Sequence, residues 1–406
     1  MRADPLDLFT PEAMLDPFPV EARLRAEAPV HHHPSMDAWT IARHHDVVEV
    51  MRDARRFSSE LGMGELISGR VWPDAPVRPE MELVESLRLV IAVDPPDHTK
   101  LRRLVSAPFA PREVAKMEPR VRALTESLVD DLVASPTPDL VTDVAWPLPV
   151  IVIAEVLGIP VDRRDDFKRW STDMVGGLAG ELDLERGQQS AFEMFSFFLE
   201  TIAERETAPG DDAISFLLSK SNGLDEDDRL LAPELVNFCI LLLIAGNETT
   251  TNLVGNATQA FFAHPGEWEK LIADPTLAPS AVEECLRYDG PVKTIFRMNA
   301  EEATVAGTTI PPMSRVLPLF SSANRDETVW PDADVFRIDR NPQEHVAFGY
   351  GIHHCLGAPL ARLEARVLFE TLAARRLVLT PRGDGVPVCG PILRGWSSIP
   401  VTVTEL

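Results

Sequence analysis

In His345-Val-Ala-Phe-Gly-Tyr-Gly-Ile-His-His-Cys-Leu-Gly-Ala-Pro359, a glycine-punctuated loop runs into the start of a helix and carries one cysteine, Cys355. The helix pattern begins at once. Pro359 is tolerated in a first turn, and Leu360, Leu363, Val367 and Leu368 recur at helical spacing. A thiol at that point meets unpaired backbone N–H groups and the positive end of the helix dipole, which favour the thiolate. Gly349, Gly351 and Gly357 leave no Cβ to hold off a flat group lying against the loop. Two other readings stand beside this one. The cysteine could be a buried structural residue after a tight turn. A zinc site from His353, His354 and Cys355 is weaker, because three adjacent residues rarely converge on one tetrahedral ion.

Three further motifs bear on the choice. In Asp94-Pro-Pro-Asp-His98-Thr-Lys-Leu-Arg102-Arg, the prolines force an extended approach and a helix begins near Asp97 or His98. His98 and Arg102 then share a helical face, which suits either a bound anion or an exposed ion-pair surface. In Ala245-Gly-Asn-Glu-Thr-Thr250, midway along a helix predicted from Pro233 to Ala263, Gly246 costs ~1 kcal/mol against alanine and so needs a reason. Small residues at 245 and 246 leave room against the backbone, and Thr249 can hydrogen-bond the Ala245 carbonyl and bend the helix. Packing alone, or a polar notch with an acid (Glu248) and an alcohol (Thr249), fits this segment. Glu284 and Arg287 lie i,i+3 on a helix predicted over Ser280–Tyr288. An exposed pair there adds little, and a buried one needs further hydrogen bonds. Glu283 and Glu284 cannot act as a paired acid and base, since neighbouring helical side chains diverge by about 100°.

Taken together, Phe348-Gly-Tyr-Gly-Ile-His353-His-Cys355-Leu-Gly357 and these motifs, in this order, resemble the cytochrome P450 superfamily of haem-thiolate monooxygenases. The resemblance implies a mainly α fold with a small β-rich lobe, haem b (iron-protoporphyrin IX) lying between the long central helix and the cysteine-ligand helix. It implies Cys355 as the axial thiolate and metal ligand, a role in which the thiolate pushes electron density toward bound oxygen. It assigns His98, Arg102 and Arg297 to the propionates, and Phe348, Gly349, His353, Gly357, Ala245 and Gly246 to the cofactor pocket. Glu248 and Thr249 become the acid and alcohol that deliver protons. Glu284, Arg287 and Arg340 become a folding staple behind the cysteine loop. Val292, Thr294, Ile295, Leu393 and Trp396 would face the substrate.

Composition narrows the remaining possibilities. A formal charge of −24 over 406 residues argues against a general nucleic-acid or anionic-membrane binder. Met1–Thr10 has no continuous apolar core, and the most apolar run, Val236–Gly246, is short of the roughly 20 residues a bilayer requires. A cytoplasmic location is expected. Four cysteines without CxxC spacing imply no disulfide framework. One domain over 1–406 is expected, its β-rich lobe drawn mainly from about 30–60 and 290–345.

Along the chain, helices are predicted at Val20–Ala28, His45–Arg52, 113–134, 150–157 and 186–206, and strands at Ala38–Ala42, Thr304–Ile310 and Arg315–Phe320. The His31–His33 run reads as solvated surface. Residues 59–93 read as irregular, with a short helix at Met81–Leu89, and Gly176, Gly177 and Gly180 as a flexible break. These two intervals correspond to the resembled family's substrate lids. The aromatic content of 192–198 suits either an apolar channel or core packing.

The implied reaction inserts one atom of O2 into a small apolar organic substrate. No nicotinamide or flavin module fits the length, so the resemblance implies a ferredoxin or flavodoxin with its NAD(P)H reductase as electron source. Arg103, Arg112, Lys116, Arg362 and Arg366 are candidates for a docking patch. Neither nucleic acid nor membrane is expected as a partner. A peroxide-driven peroxygenase, a haem-thiolate isomerase or dehydratase, and a haem-binding sensor are the rival functions.

Overall fold

A computed structural model describes residues 4–67, 88–160, 163–179, 184–225 and 229–406. The predicted helix at Met81–Leu89 and the residue Gly180 lie outside the described residues, wholly or in large part.

The fold is organised around one helix, Ala232–Ala263, whose 32 residues rise to about 48 Å. Pro233 sits in its first turn, the Glu234 carboxylate accepts the Leu231 N–H at 2.8 Å, and Pro265 follows its end. By length and composition this helix could cross a membrane, yet 61% of its most apolar window is buried inside the protein. Its apolar surface is spent on neighbours. Helices Pro147–Leu157, Leu184–Thr207, Ala278–Asp289 and Ala358–Ala374 pack around it. Their side chains form the main core, including Leu235, Leu243, Leu253, Val282, Leu286, Leu360 and Leu368.

The β lobe is a five-stranded sheet of order β1-β2-β7-β4-β3, from β1 (Val30–His33), β2 (Ala38–Ile41), β3 (Phe57–Ser58), β4 (Arg297–Asn299) and β7 (Arg315–Pro318). Only β2 and β7 pair in parallel, with Ala38 opposite Arg315 and Ile41 opposite Pro318. Residues far apart in sequence thus close one sheet. Between β4 and β7, β5 (Ala303–Val305) and β6 (Thr308–Ile310) form a hairpin. Ala306 and Gly307 both take positive φ there, as a two-residue primed turn requires. Near the C-terminus β8 (Leu377–Pro381) pairs with β11 (Val401–Glu405), and β9 (Val386–Cys389) with β10 (Arg394–Ser398).

Several expectations need correction. A helix covers Ser59–Ile67, where the sequence reads as irregular. The helix Arg164–Ala179 runs through Gly176 and Gly177. Its buried Phe167 and Trp170 pack against the Leu184–Thr207 helix, and that burial offsets the ~1 kcal/mol each glycine costs. The histidine run is only partly solvated. On β1, His33 is fully buried with Nε2 2.8 Å from Thr40 Oγ1, and His31 bonds Asp4 at 2.8 Å. His32 points to the other face and packs on Trp39. Of the aromatic segment, Met194 and Phe198 are core residues, whereas Phe192 is 68% exposed.

Candidate functional site

The cysteine loop is tied down from both ends. The Val346 N–H donates to Asn324 Oδ1 at 2.7 Å, the Gly349 N–H to the Val346 carbonyl, and the Cys355 N–H to the Phe348 carbonyl at 2.9 Å. The glycines have reasons other than a flat group lying on them. Gly349 and Gly351 adopt φ of +70° and +73°, and a Cβ on Gly351 would lie 2.6 Å from the Met51 carbonyl oxygen. Gly357 does face the sulfur: a Cβ there would stand 4.0 Å from Cys355 Sγ.

Cys355 stands just before the helix Ala358–Ala374, half-buried. Burial raises its pKa above the ordinary thiol value, and this outweighs the hydrogen bonds from Gly357 and Ala358 and the charges of Arg102 and Arg362. The backbone N–H groups at the helix start favour the thiolate, as expected from sequence, and burial opposes them. A metal cation at the sulfur would supply the missing positive charge.

Beside the loop lies a cationic cradle. His98 and Arg102 come from the helix Asp97–Val105, Arg297 from β4, and His353 from the loop itself. The His98 and His353 rings are 4.2 Å apart, and both Nε2 atoms are buried without a hydrogen-bond partner. Arg102 Nη2 donates to the His354 carbonyl at 2.6 Å, and Arg297 Nη1 to the Phe296 carbonyl at 2.8 Å. Burial lowers all four pKa values, Arg297 to about 10 and His353 to about 3, with Arg297, His98 and Arg102 adding to the depression at His353. Among the described residues, the carboxylate acting on this group is Asp94. It is already engaged by Ser58 Oγ at 2.5 Å and the Ser59 N–H at 2.9 Å. Two arginines and two unpartnered imidazole nitrogens gather here, and Asp94 acts on His98 and Arg297 alone among them. The donor set is short of anions, and the two propionates of a haem fit it.

The long helix presents Ala245, exposed, and Thr249, whose Oγ1 donates to the Ala245 carbonyl at 2.6 Å. Glu248 is half-buried. Burial raises its pKa, opposed by the charge of Lys168. Gly246 turns elsewhere: an added Cβ would meet Ile153 at 3.3 Å, so its smallness admits the Pro147–Leu157 helix rather than a cofactor.

Behind the loop, Glu284 and Arg287 pair at 2.8 and 2.9 Å with both side chains fully buried. Arg340 Nε reaches Glu284 Oε1 at 3.2 Å, and the Arg337 N–H donates to the same oxygen. Arg287 also donates to the carbonyls of Asn324 and Ala333. The pair is buried and its hydrogen bonds are made, the condition under which such a pair holds a fold together.

Other predicted contacts separate. Val292 and Ile295 remain partly open, and Val292 pairs with Leu393 through an isolated bridge. Thr294 is buried, donating to the Pro318 carbonyl at 2.9 Å. Trp396 packs on Gly255, where a Cβ would lie 3.2 Å from its ring. The docking patch is largely neutralised: Arg112 and Lys116 bond Glu113, Arg366 bonds Glu118 and Glu370, Arg362 bonds Glu283, and Arg103 is exposed.

A buried acid on the cysteine helix escaped the sequence reading. Glu364 is 2% exposed, its Oε1 has no hydrogen-bond partner, and burial raises its pKa to about 8 despite a bond from Thr250. The signal was present, since Glu364 lies midway between Leu360 and Leu368 on the apolar stripe.

The family model described as Cytochrome P450 matches residues 269–388. The chain is 38% identical over 405 residues to the vitamin D(3) 25-hydroxylase of Pseudonocardia autotrophica, covering 98% of this chain and 96% of that one. Among solved structures, cytochrome P450 CYP109Q5 from Chondromyces apiculatus superposes with a TM-score of 0.86 at 39% identity, covering 98% of each chain. CYP109E1 from Bacillus megaterium, in complex with testosterone, gives 0.84 at 33% identity over 97% of this chain and 99% of that one. Coverage from end to end at these identities means that the chain belongs to the cytochrome P450 family, among its bacterial members, and is a monooxygenase.

Proposed function

We propose that the chain hydroxylates a small, rigid, apolar molecule of sterol-like size, taking electrons one at a time from a separate ferredoxin or flavodoxin served by an NAD(P)H reductase. The observation that carries the reading is an anion-poor cationic cradle beside a lone cysteine, with an acid–alcohol notch on the long helix that packs against the cysteine helix. The vitamin D(3) hydroxylase and the testosterone-bound relative support the substrate class.

Haem, when bound, supplies the iron that activates O2 and transfers one oxygen atom to the substrate. The chain's own residues do the rest. Cys355 Sγ would be the iron's ligand, with the Gly357 and Ala358 N–H groups sharing its charge. His98, Arg102, Arg297 and His353 would hold the propionates. Glu248, its pKa raised by burial, is the acid that would give up the proton. Thr249 Oγ1, oriented by the Ala245 carbonyl, accepts and passes that proton toward the oxygen side of the site. Val292, Ile295 and Leu393 offer apolar surface and no charge, which excludes water and selects an apolar substrate.

Thr249→Ala is the test. Product formed per NAD(P)H is expected to fall by about tenfold or more, with peroxide released in its place and substrate binding unchanged. Unaltered coupling would favour the peroxide-driven route.

A further inference from the structure

Glu283 neighbours the buried staple but points elsewhere on its helix. Its Oε1 accepts from Arg362 Nε at 2.7 Å, and its Oε2 accepts from Arg362 Nη2 at 3.0 Å and from His345 Nε2 at 2.8 Å. His345 opens the cysteine loop and Arg362 lies on the helix that follows it, so one carboxylate bridges the two ends of the loop. The imidazole has no freedom in this. Its Nδ1 accepts the Ala347 N–H at 3.2 Å, so Nε2 carries the hydrogen and donates it to Glu283.

The bridge also reaches the sulfur by a second route. The Arg362 guanidinium lies 4.5 Å from the centroid of the Phe348 ring, and the Phe348 carbonyl accepts the Cys355 N–H. Arg362 is one of the two cations whose charge is felt at Cys355. Burial would push the Glu283 carboxyl up, but the bonds from His345 and Arg362 and the Arg362 charge bring its pKa down to about 2. Its negative charge is therefore fixed across the working pH range, and it opposes the Arg362 charge beside the loop.

We propose that Glu283 is a positioning residue that braces the cysteine loop and, by balancing Arg362, sets the reduction potential of the iron held at Cys355. The inference rests on Cys355 being that ligand.

The test compares Glu283→Gln and Arg362→Gln in the haem-loaded protein by equilibrium spectroelectrochemistry, with no redox partner present. Glu283→Gln leaves the guanidinium unopposed and is expected to shift the potential upward, since positive charge favours the reduced iron. Arg362→Gln leaves the carboxylate unopposed and is expected to shift it downward. Hydrogen exchange of the haem-free protein supplies a second reading: amides 346–349 should exchange faster in Glu283→Gln than in wild type. Shifts of one sign in both variants, or no shift with unchanged exchange, would overturn the proposal. If Glu283→Gln does not fold, the sign of the Arg362→Gln shift decides alone. A failure of the ligand reading itself would show earlier, as wild-type protein that takes up no haem with thiolate character.

Discussion

Burial sets the protonation of the acids around the site. Glu364 is the extreme case, a carboxyl enclosed between the cysteine helix and the long helix with one oxygen unpartnered. Its folded pKa of about 8 lies above the roughly 4.3 of an unfolded glutamate. The folded state thus binds the proton more tightly, and the stability this gives is full below pH ~4.3 and lost as pH rises through about 8. Glu364→Gln keeps the shape without the charge. Equilibrium unfolding should find the variant equal to wild type near pH 4 and more stable by roughly 2–5 kcal/mol at pH 8. Parallel stability curves across that range would contradict the assignment.

Elements are joined here by a small number of buried polar ties. Glu284 holds Arg287 from its own helix and Arg340 and the Arg337 N–H from the segment before the cysteine loop, with Glu284 and Arg287 fully buried. Removing one partner strands charge in the interior, so Glu284→Ala should cost about 3–5 kcal/mol, or abolish folding, without touching the reacting groups. Soluble yield and denaturant midpoints measure this. A steric tie joins the long helix to β10, where a Cβ on Gly395 would fall 1.9 Å from Asn252 Oδ1. Gly395→Ala should therefore destabilise by about 1–3 kcal/mol, and a neutral result would mean that the hairpin can slide.

These ties show what a sequence displays and what it hides. The i,i+3 spacing of Glu284 and Arg287 is local and can be read directly, as can the helical stripe after Cys355 and the turn at Gly307. Glu283 finds His345 and Arg362 across 62 and 79 positions, a pairing that only the fold creates. Gly246 reads as room for a cofactor until Ile153 is seen against it. Thr294 alternates inward because β7 offers a carbonyl there. The helix through Gly176 and Gly177 survives because tertiary packing overrides propensity.

Over the whole molecule, the proposed function would require a chain of net charge −24 to attract an electron carrier. Four of the five cations picked out from sequence are paired with glutamates, which leaves Arg103 as the exposed member of that set without an ion pair among the described residues. Arg103→Glu should slow ferredoxin-driven reduction several-fold at low salt, with the difference closing as salt screens the encounter. Equal rates and equal salt slopes would place the docking face elsewhere.

All of this depends on the sulfur of Cys355 binding haem iron. The most direct measurement is the spectrum of the reduced, carbon monoxide-bound protein, beside Cys355→Ala prepared in the same way. The wild type should show the red-shifted Soret band of a thiolate-ligated haem, and the variant should lose it while keeping its fold. A folded wild type without that band, or a variant that retains it, would contradict the assignment.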